Sequence, residues 1–336
     1  LIARLLLSRG IRTFEEAREF FRPDLSLLHD PFLMKDMEKA VGIIETAIRQ
    51  QERILIYGDY DVDGTTAVAL LYRFFKHLYD QVGYYIPDRH SEGYGLSMQA
   101  IDWAIENGYG LIITLDCGIT ANEQVDYANE KGLTVIITDH HLPATLPDAA
   151  AILNPKQADC PYPFKELSGC GIGFKLAQAF ARRNEIDEQY VFQSLDLLAV
   201  SIAADIVPIL GENRLLTHFG LKKLNENPTM GLRAIIQLCC DKKELNITDI
   251  VFTIAPRINA AGRMGDAKNA VELLLSNSMQ EAESRAQVIN ETNTDRRDVD
   301  ANITREAMLV AEATSDFNSR RTTVVYGQNW HKGVIG

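Results

Sequence analysis

The sequence predicts an α/β fold: a doubly wound, mainly parallel five-stranded sheet with a helical extension, a long connecting helix and the start of a second α/β domain. Three observations lead there. From about residue 53, short β-branched runs alternate with helical stretches; after Pro163 the chain turns mostly helical through about residue 275; and from Met279 to about Thr314 it is polar, acidic and Arg-rich, with no Pro or Gly.

Residues 1–52 read as a helical entry segment. Ile2, Leu5, Leu6 and Ile11 keep helical spacing, and the Thr13 to Glu16 stretch has the form of a capping box. Residues 53–278 read as the main α/β domain with its helical part. Its strands are Ile54–Tyr57, Val82–Ile86, Leu111–Leu115, Val135–Thr138 and Ala151–Leu153, separated by helical patterns near 64–79, 97–107 and 121–131. Residues 279–315 are one long connecting helix. In 316–336 the run Thr322–Tyr326 has strand character and opens the second domain. The chain begins without Met and stops at Gly336 directly after an apolar run, so it reads as a fragment.

Composition narrows the class. At 336 residues, 46% hydrophobic and 24% charged, the chain is long enough for a substantial core and more than one domain. No apolar run approaches the roughly 20 residues that cross a bilayer, and no signal peptide opens the chain, so the cytoplasm is the expected location, with no membrane partner. Cys117, Cys160, Cys170, Cys239 and Cys240 show no C-x-x-C spacing and read as reduced core residues rather than a zinc site. A formal charge of -12 argues against indiscriminate polyanion binding while leaving room for a local basic groove.

The informative feature is positional. The first strand runs into Asp59, Asp61 and Asp63, the third into Asp116, and the fourth into Asp139, His140 and His141. Ligands of open parallel sheets bind at the carboxyl edge of the strands, so these acids can converge although they are far apart in sequence. Convergent carboxylates repel one another and call for a cation. Carboxylates with imidazole and no thiolate favour Mn²⁺ or Mg²⁺, two ions being expected with this many acids. A calcium loop starting at Asp59 is excluded, because its twelfth position is Leu70 instead of a bidentate Glu. Asp205 ends the apolar segment Leu195–Ile202, where an unpaired carboxylate is costly and a metal offsets the cost.

Together, the segments 57–64, 115–118, 139–141 and 204–208 resemble the ordered signatures of the DHH phosphoesterases, whose name is the triplet Asp139-His140-His141. The segments 211–214, 256–263 and 331–336 and the long polar helix resemble that family's single-strand-specific 5′-to-3′ DNA exonucleases, over essentially the whole chain. The resemblance implies Asp61, Asp63, Asp116, His140 and Asp205 as metal ligands, with Asp59 as a further ligand or supporting catalytic acid. It implies His141 as a catalytic residue facing the substrate phosphate and Asp139 as the group that orients the histidines. Arg89, Arg257, Asn259, Arg263 and His331 become substrate-binding candidates. The implied reaction is two-metal hydrolysis of single-stranded DNA with a 5′ end, in repair and recombination, by a monomer working with a helicase and single-strand-binding protein. Competing readings are a DHH enzyme acting on oligoribonucleotides, cyclic dinucleotides or pyrophosphate, and a non-catalytic DNA-binding relative. A dinucleotide-dependent oxidoreductase is excluded, because Asp-rich sequence stands where G-x-G-x-x-G would be needed.

Overall fold

In the computed structural model, which describes residues 1–313 and 321–335, five strands form one all-parallel sheet: β1 (Arg53–Gly58), β2 (Val82–Tyr85), β3 (Tyr109–Leu115), β4 (Thr134–Thr138) and β5 (Ala151–Leu153). Their order is β2-β1-β3-β4-β5. Side chains alternate between two apolar layers. Ile54, Ile56, Ile113 and Ile136 enter one core, and Leu55, Tyr57, Ile112, Val135 and Ile137 enter the other, so the sheet is covered on both faces. The first layer is built with α3 (Met37–Arg49), α4 (Val62–Leu78) and α7 (Gly169–Arg183). The second is built with α5 (Met98–Glu106) and α6 (Asn122–Glu130).

Ahead of the sheet lie α1 (Ile2–Leu7) and α2 (Phe14–Phe21). The capping box forms as expected: Glu16 N–H donates to Thr13 Oγ1 at 3.1 Å, and Thr13 N–H donates to the Glu16 carboxylate at 2.9 Å. Beyond α7 come α8 (Gln189–Phe192), α9 (Leu195–Ala204), α10 (Gly211–Glu226), α11 (Met230–Cys239), α12 (Ile247–Asp249), a π-helical turn at Ile250–Ile254, α13 (Ala255–Met264) and α14 (Lys268–Leu274). Apolar around most of its circumference, α9 is buried from Leu195 to Ala203. Here Glu212, at the start of α10, pairs with the fully buried Lys175 at 2.7 Å and accepts from His29 N–H at 3.0 Å, while the Arg214 guanidinium lies 3.6 Å from the Phe20 ring centre. These contacts fasten the entry segment to the helices that cover the sheet.

The polar stretch forms one helix, α15 (Met279–Glu312), whose Ala282, Ala286 and Ile289 pack against the core. The expected strand at Thr322–Tyr326 does not form. A strand needs a ladder partner, and among the described residues none lies beside it; Val324 and Tyr326 are left exposed. Of the segment 316–336 expected to open a second domain, residues 316–320 and 336 lie outside the described residues. Cys117, Cys160 and Cys170 are buried as expected, whereas Cys239 and Cys240 are half-buried with their sulfurs 3.7 Å apart. Among the described residues no helix is long and apolar enough to cross a membrane.

Candidate metal centre

The chain reverses its direction of growth between β1 and β3, and such a switch point opens a crevice at the carboxyl edge of a parallel sheet. Backbone pairing continues past the strand ends and fixes the acids there. Asp59 N–H donates to Leu115 O at 3.3 Å, Asp116 N–H to Thr138 O at 3.0 Å, and Asp139 N–H to Leu153 O at 3.1 Å. Asp116 adopts a left-handed backbone, φ 60°. That conformation is strained for a residue with a Cβ, and such strain concentrates at functional sites.

The turn into α4 supplies two further acids. Asp61 caps the helix, its carboxylate accepting from Gly64 N–H at 3.0 Å. Asp63 points into the protein and accepts from Gly169 N–H at 2.6 Å, Cys170 N–H at 2.8 Å and Ser201 Oγ–H at 2.6 Å. The first two donors are free N–H groups at the start of α7, the end of a helix that favours an anion. Gly169 must lack a side chain, because a Cβ there would lie 2.5 Å from the Asp116 Cβ.

These elements bring His140 Nε2 to 3.1 Å from Asp116 Oδ1, 3.5 Å from Asp205 Oδ2 and 3.8 Å from Asp63 Oδ2. Three groups of possible ligand atoms result, each within 4.8 Å: Asp116 with His140 and His141, Asp63 with His140 and Asp205, and Asp59 with Asp61 and Asp116. Asp59 Oδ1, Asp116 Oδ1, Asp205 Oδ2 and both His140 ring nitrogens are buried without a hydrogen-bond partner. Unpaired polar atoms are costly to bury, and here they face one another. Burial and then the Asp61 charge push the Asp59 carboxyl up to about 8; burial followed by Asp63 and Asp61 does the same for Asp205. Burial and the charges of Asp63 and Asp61 hold Asp116 well above the usual carboxylate range. Burial lowers His140, against the pull of Asp63, which keeps its imidazole neutral and able to donate a lone pair. Oxygen donors with a neutral imidazole, mutually repelling and unpaired, fit hard divalent ions of the Mn²⁺ or Mg²⁺ type.

Asp139 does not orient both histidines. It accepts from His141 Nδ1 at 2.7 Å, from His141 N–H at 3.0 Å and from Ile119 N–H at 2.9 Å, and it acts on His140 through its charge alone. The hydrogen bond to Asp139 raises the pKa of the half-exposed His141; Asp139 itself stays below its ordinary value because these bonds outweigh its burial. The Tyr94 ring stands edge-on to both His141 and Tyr60.

The substrate-binding candidates separate into two groups. Arg89 lies over the Tyr60 ring, 5.2 Å from its centre. Arg263 is lowered by burial and then by the neighbouring charges of Arg296 and Arg89, with Asp61 as a nearby counter-charge. The charge of Arg89 acts on Asp59 and that of Asp61 on Arg263, with Arg296 within electrostatic range of Arg263, and His331 comes to 5.7 Å from His90, ring centre to ring centre. Arg257 points elsewhere: it donates to Asn290 Oδ1 at 2.9 Å and to Thr253 O at 2.6 Å, tying α13 to α15. Asn259 Oδ1 accepts from Val62 N–H at 3.1 Å and so supports the acidic turn from behind. Gly262, one turn on, touches Tyr60 so closely that a Cβ would meet its carbonyl oxygen at 2.5 Å.

Sequence reasoning missed Arg296, hidden in a uniformly polar helix, and the cradle that Gly169, Cys170 and Ser201 build for Asp63. It also missed Lys156, whose charge acts on Asp205 and His140 and which sits 3.6 Å from Glu166. The available signal for Lys156 was its place two residues beyond Asn154, at the end of the fifth strand.

Comparison with known proteins gives concordant results. Residues 53–202 match the model of the DHH family, N-terminal domain. The chain is 43% identical over 338 residues to the single-stranded-DNA-specific exonuclease RecJ of Bacillus subtilis (strain 168), covering 100% of this chain and 42% of that protein. A crystal structure of exonuclease RecJ bound to manganese superposes with a TM-score of 0.82 at 32% identity, covering 93% of this chain and 77% of that one. RecJ from Thermus thermophilus in complex with Mn²⁺ gives 0.83 at 31% identity, covering 98% of this chain and 46% of that one. The chain thus spans less than half the length of the Bacillus relative.

Proposed function

Because the chain belongs to the DHH family and, within it, to the RecJ proteins, we propose that it is the catalytic core of a metal-dependent exonuclease that degrades single-stranded DNA from a 5′ end, in cytoplasmic DNA repair and recombination. The observation that carries this reading is the set of buried, unpaired ligand atoms on Asp59, Asp116, His140 and Asp205, facing one another at the switch point of the sheet. Asp61, Asp63, Asp116, His140 and Asp205 hold two Mn²⁺ or Mg²⁺ ions, with Asp59 beside them. Bound there, the ions supply Lewis acidity and a water of lowered pKa, which is the chemistry that phosphodiester hydrolysis needs.

The chain's own groups do the rest. The hydrogen bond to Asp139 raises the pKa of His141 and so favours its charged form, in which His141 can donate to a phosphate oxygen and balance the charge that develops there. Arg89, Arg263 and Arg296 bind the phosphates of the strand, and Tyr60 and Tyr94 offer aromatic faces to its bases. Residues 53–278 form the catalytic domain, 1–52 an entry segment clamped to it, 279–315 the connecting helix and 316–336 the beginning of the following domain. The chain works as a monomer; a helicase that frees the strand and a single-strand-binding protein that coats it are the partners such a substrate requires.

One prediction concerns proton balance. Replacing Asp139 by Asn removes the carboxylate that holds His141 above its ordinary value, so His141 loses its proton at lower pH. Activity that needs the charged ring is present below its pKa and is lost as pH rises through it. The descending limb of kcat/KM against pH therefore moves to lower pH in Asp139→Asn, as pH profiles on a 5′-phosphorylated oligonucleotide will show.

The function itself is tested by incubating this chain, and a form extended past Gly336, with 5′-phosphorylated single-stranded DNA, duplex DNA, short RNA and pyrophosphate in Mn²⁺. Stepwise release of mononucleotides from the 5′ end of the single strand is expected. Cleavage confined to short RNA or pyrophosphate would keep the metal centre and overturn the DNA exonuclease.

A further inference from the structure

Asp205 contributes a carboxylate 3.5 Å from His140, yet the turn that follows it is poorly suited to hold its shape unaided. Asp205 closes α9, its N–H donating to Ser201 O at 3.0 Å. Ile206 then takes a left-handed backbone, φ 59°, although it is β-branched and 86% exposed. That conformation is disfavoured by about 1–3 kcal/mol and persists only where surrounding structure enforces it. An exposed side chain receives no such help from packing.

Val207 and Ile209 pack against the core, and the side-chain hydrogen bond to the turn comes from Asn213, in the first turn of α10 and wholly buried. Its Nδ2 donates to Pro208 O at 3.1 Å and to Glu166 O at 2.5 Å. Glu166 lies just ahead of Ser168 and Gly169, where α7 begins and offers the N–H groups that hold Asp63. One amide thus joins the segment that anchors Asp63 to the turn that follows Asp205. Apart from the Arg214 N–H bond to Leu210 O, the main chain of 206–210 has no other hydrogen bond from α10, and among the described residues no other side chain bonds to it. Asn213 Oδ1 is itself buried without a partner. Stability alone gives no reason to accept an orphaned amide oxygen beside a strained isoleucine.

We infer that Asn213 is a positioning residue of the metal centre: by holding the turn 206–210 in its left-handed shape, it sets where Asp205 stands relative to His140 and Asp63. The inference rests on the metal-binding reading proposed above. It predicts a specific rescue. Asn tolerates a left-handed backbone far better than Ile, so Ile206→Asn makes the turn self-supporting and relieves its dependence on Asn213.

The test is Mn²⁺ binding to the 336-residue chain, followed through the EPR signal of the free ion, for the unmodified protein, Asn213→Ala, Ile206→Asn and the double variant. Asn213→Ala is expected to weaken binding by roughly 10–100-fold, the range typical of residues that orient metal ligands. Ile206→Asn should bind as the unmodified chain does and melt at a higher temperature, and the double variant should recover most of the lost affinity. Unchanged affinity in Asn213→Ala, or a double variant no better than Asn213→Ala, overturns the inference; an Asn213 that merely packs the interior could not be rescued from an exposed position. If Asn213→Ala fails to fold, Asn213→Ser, which keeps a single donor, carries the same comparison. An unmodified chain that binds no Mn²⁺ removes the metal reading and this inference with it, a result distinct from binding that ignores Asn213.

Discussion

Asp116→Asn will lower phosphodiester hydrolysis by roughly 10²–10³-fold or more, the scale of losing one preorganised electrostatic partner, while raising the melting temperature of the metal-free protein. The two effects share one cause. Asp116 is buried, strained and surrounded by Asp59, Asp61, Asp63 and Asp139, which hold its carboxyl well above the usual range. Without a cation its charge is a liability to the fold, and an amide of the same shape removes that charge and offers donors to the neighbouring carboxylates. With a cation the same charge is what binds it. Opposite signs for stability and activity mark a residue retained for function. Thermal melts in EDTA and nuclease assays in Mn²⁺ on the same preparation will show both signs.

The second large effect is a pH dependence of stability that the metal reverses. In the metal-free chain Asp59 and Asp205 titrate at about 8, against an ordinary value of 3.8. Between those values the folded chain keeps protons that the unfolded chain has released, so its stability falls as pH rises. The contribution is fully present below 3.8 and lost as pH rises through about 8. Each tenfold difference in proton affinity is worth about 1.4 kcal/mol, so two such carboxylates matter on the scale of a whole domain's stability. Metal binding displaces those protons, and its affinity rises over the same window. The gap between melting temperatures in Mn²⁺ and in EDTA is therefore expected to widen from about pH 5.5 to about pH 8. A gap independent of pH would mean that these carboxylates are already ionised without the metal.

Much of this architecture can be read directly from the residues. The β-branched runs at 54–57, 82–86, 111–115, 135–138 and 151–153 each became a strand, because a strand buried on both faces leaves little ambiguity of pattern. The acids at the strand ends were equally legible, since the sheet's topology alone carries Asp59, Asp116 and Asp139 to one edge. What could not be read was anything set by contacts between distant segments. Arg257 and Asn259 share a short motif with Arg263, yet on α13 each meets a different partner. Arg263 feels the charge of Asp61, Arg257 bonds to α15 and Asn259 grips the start of α4. Arg296 carried no local signal because its neighbours on α15 are just as polar. The strand expected at Thr322–Tyr326 had the right composition and, among the described residues, no neighbour to pair with, and strand propensity expresses packing against a partner more than any preference of the backbone.

The central claim is that these mutually repelling acids and the neutral His140 form a site for divalent cations. Equilibrium dialysis of the purified chain against Mn²⁺ at about pH 8, where protons compete less for the acids than at lower pH, tests it most directly, with Asp116→Asn and His140→Ala alongside. Saturable binding by the unmodified chain, lost or severely weakened in both variants, is the predicted result. Binding that survives both substitutions, or no binding by any of the three, would contradict it.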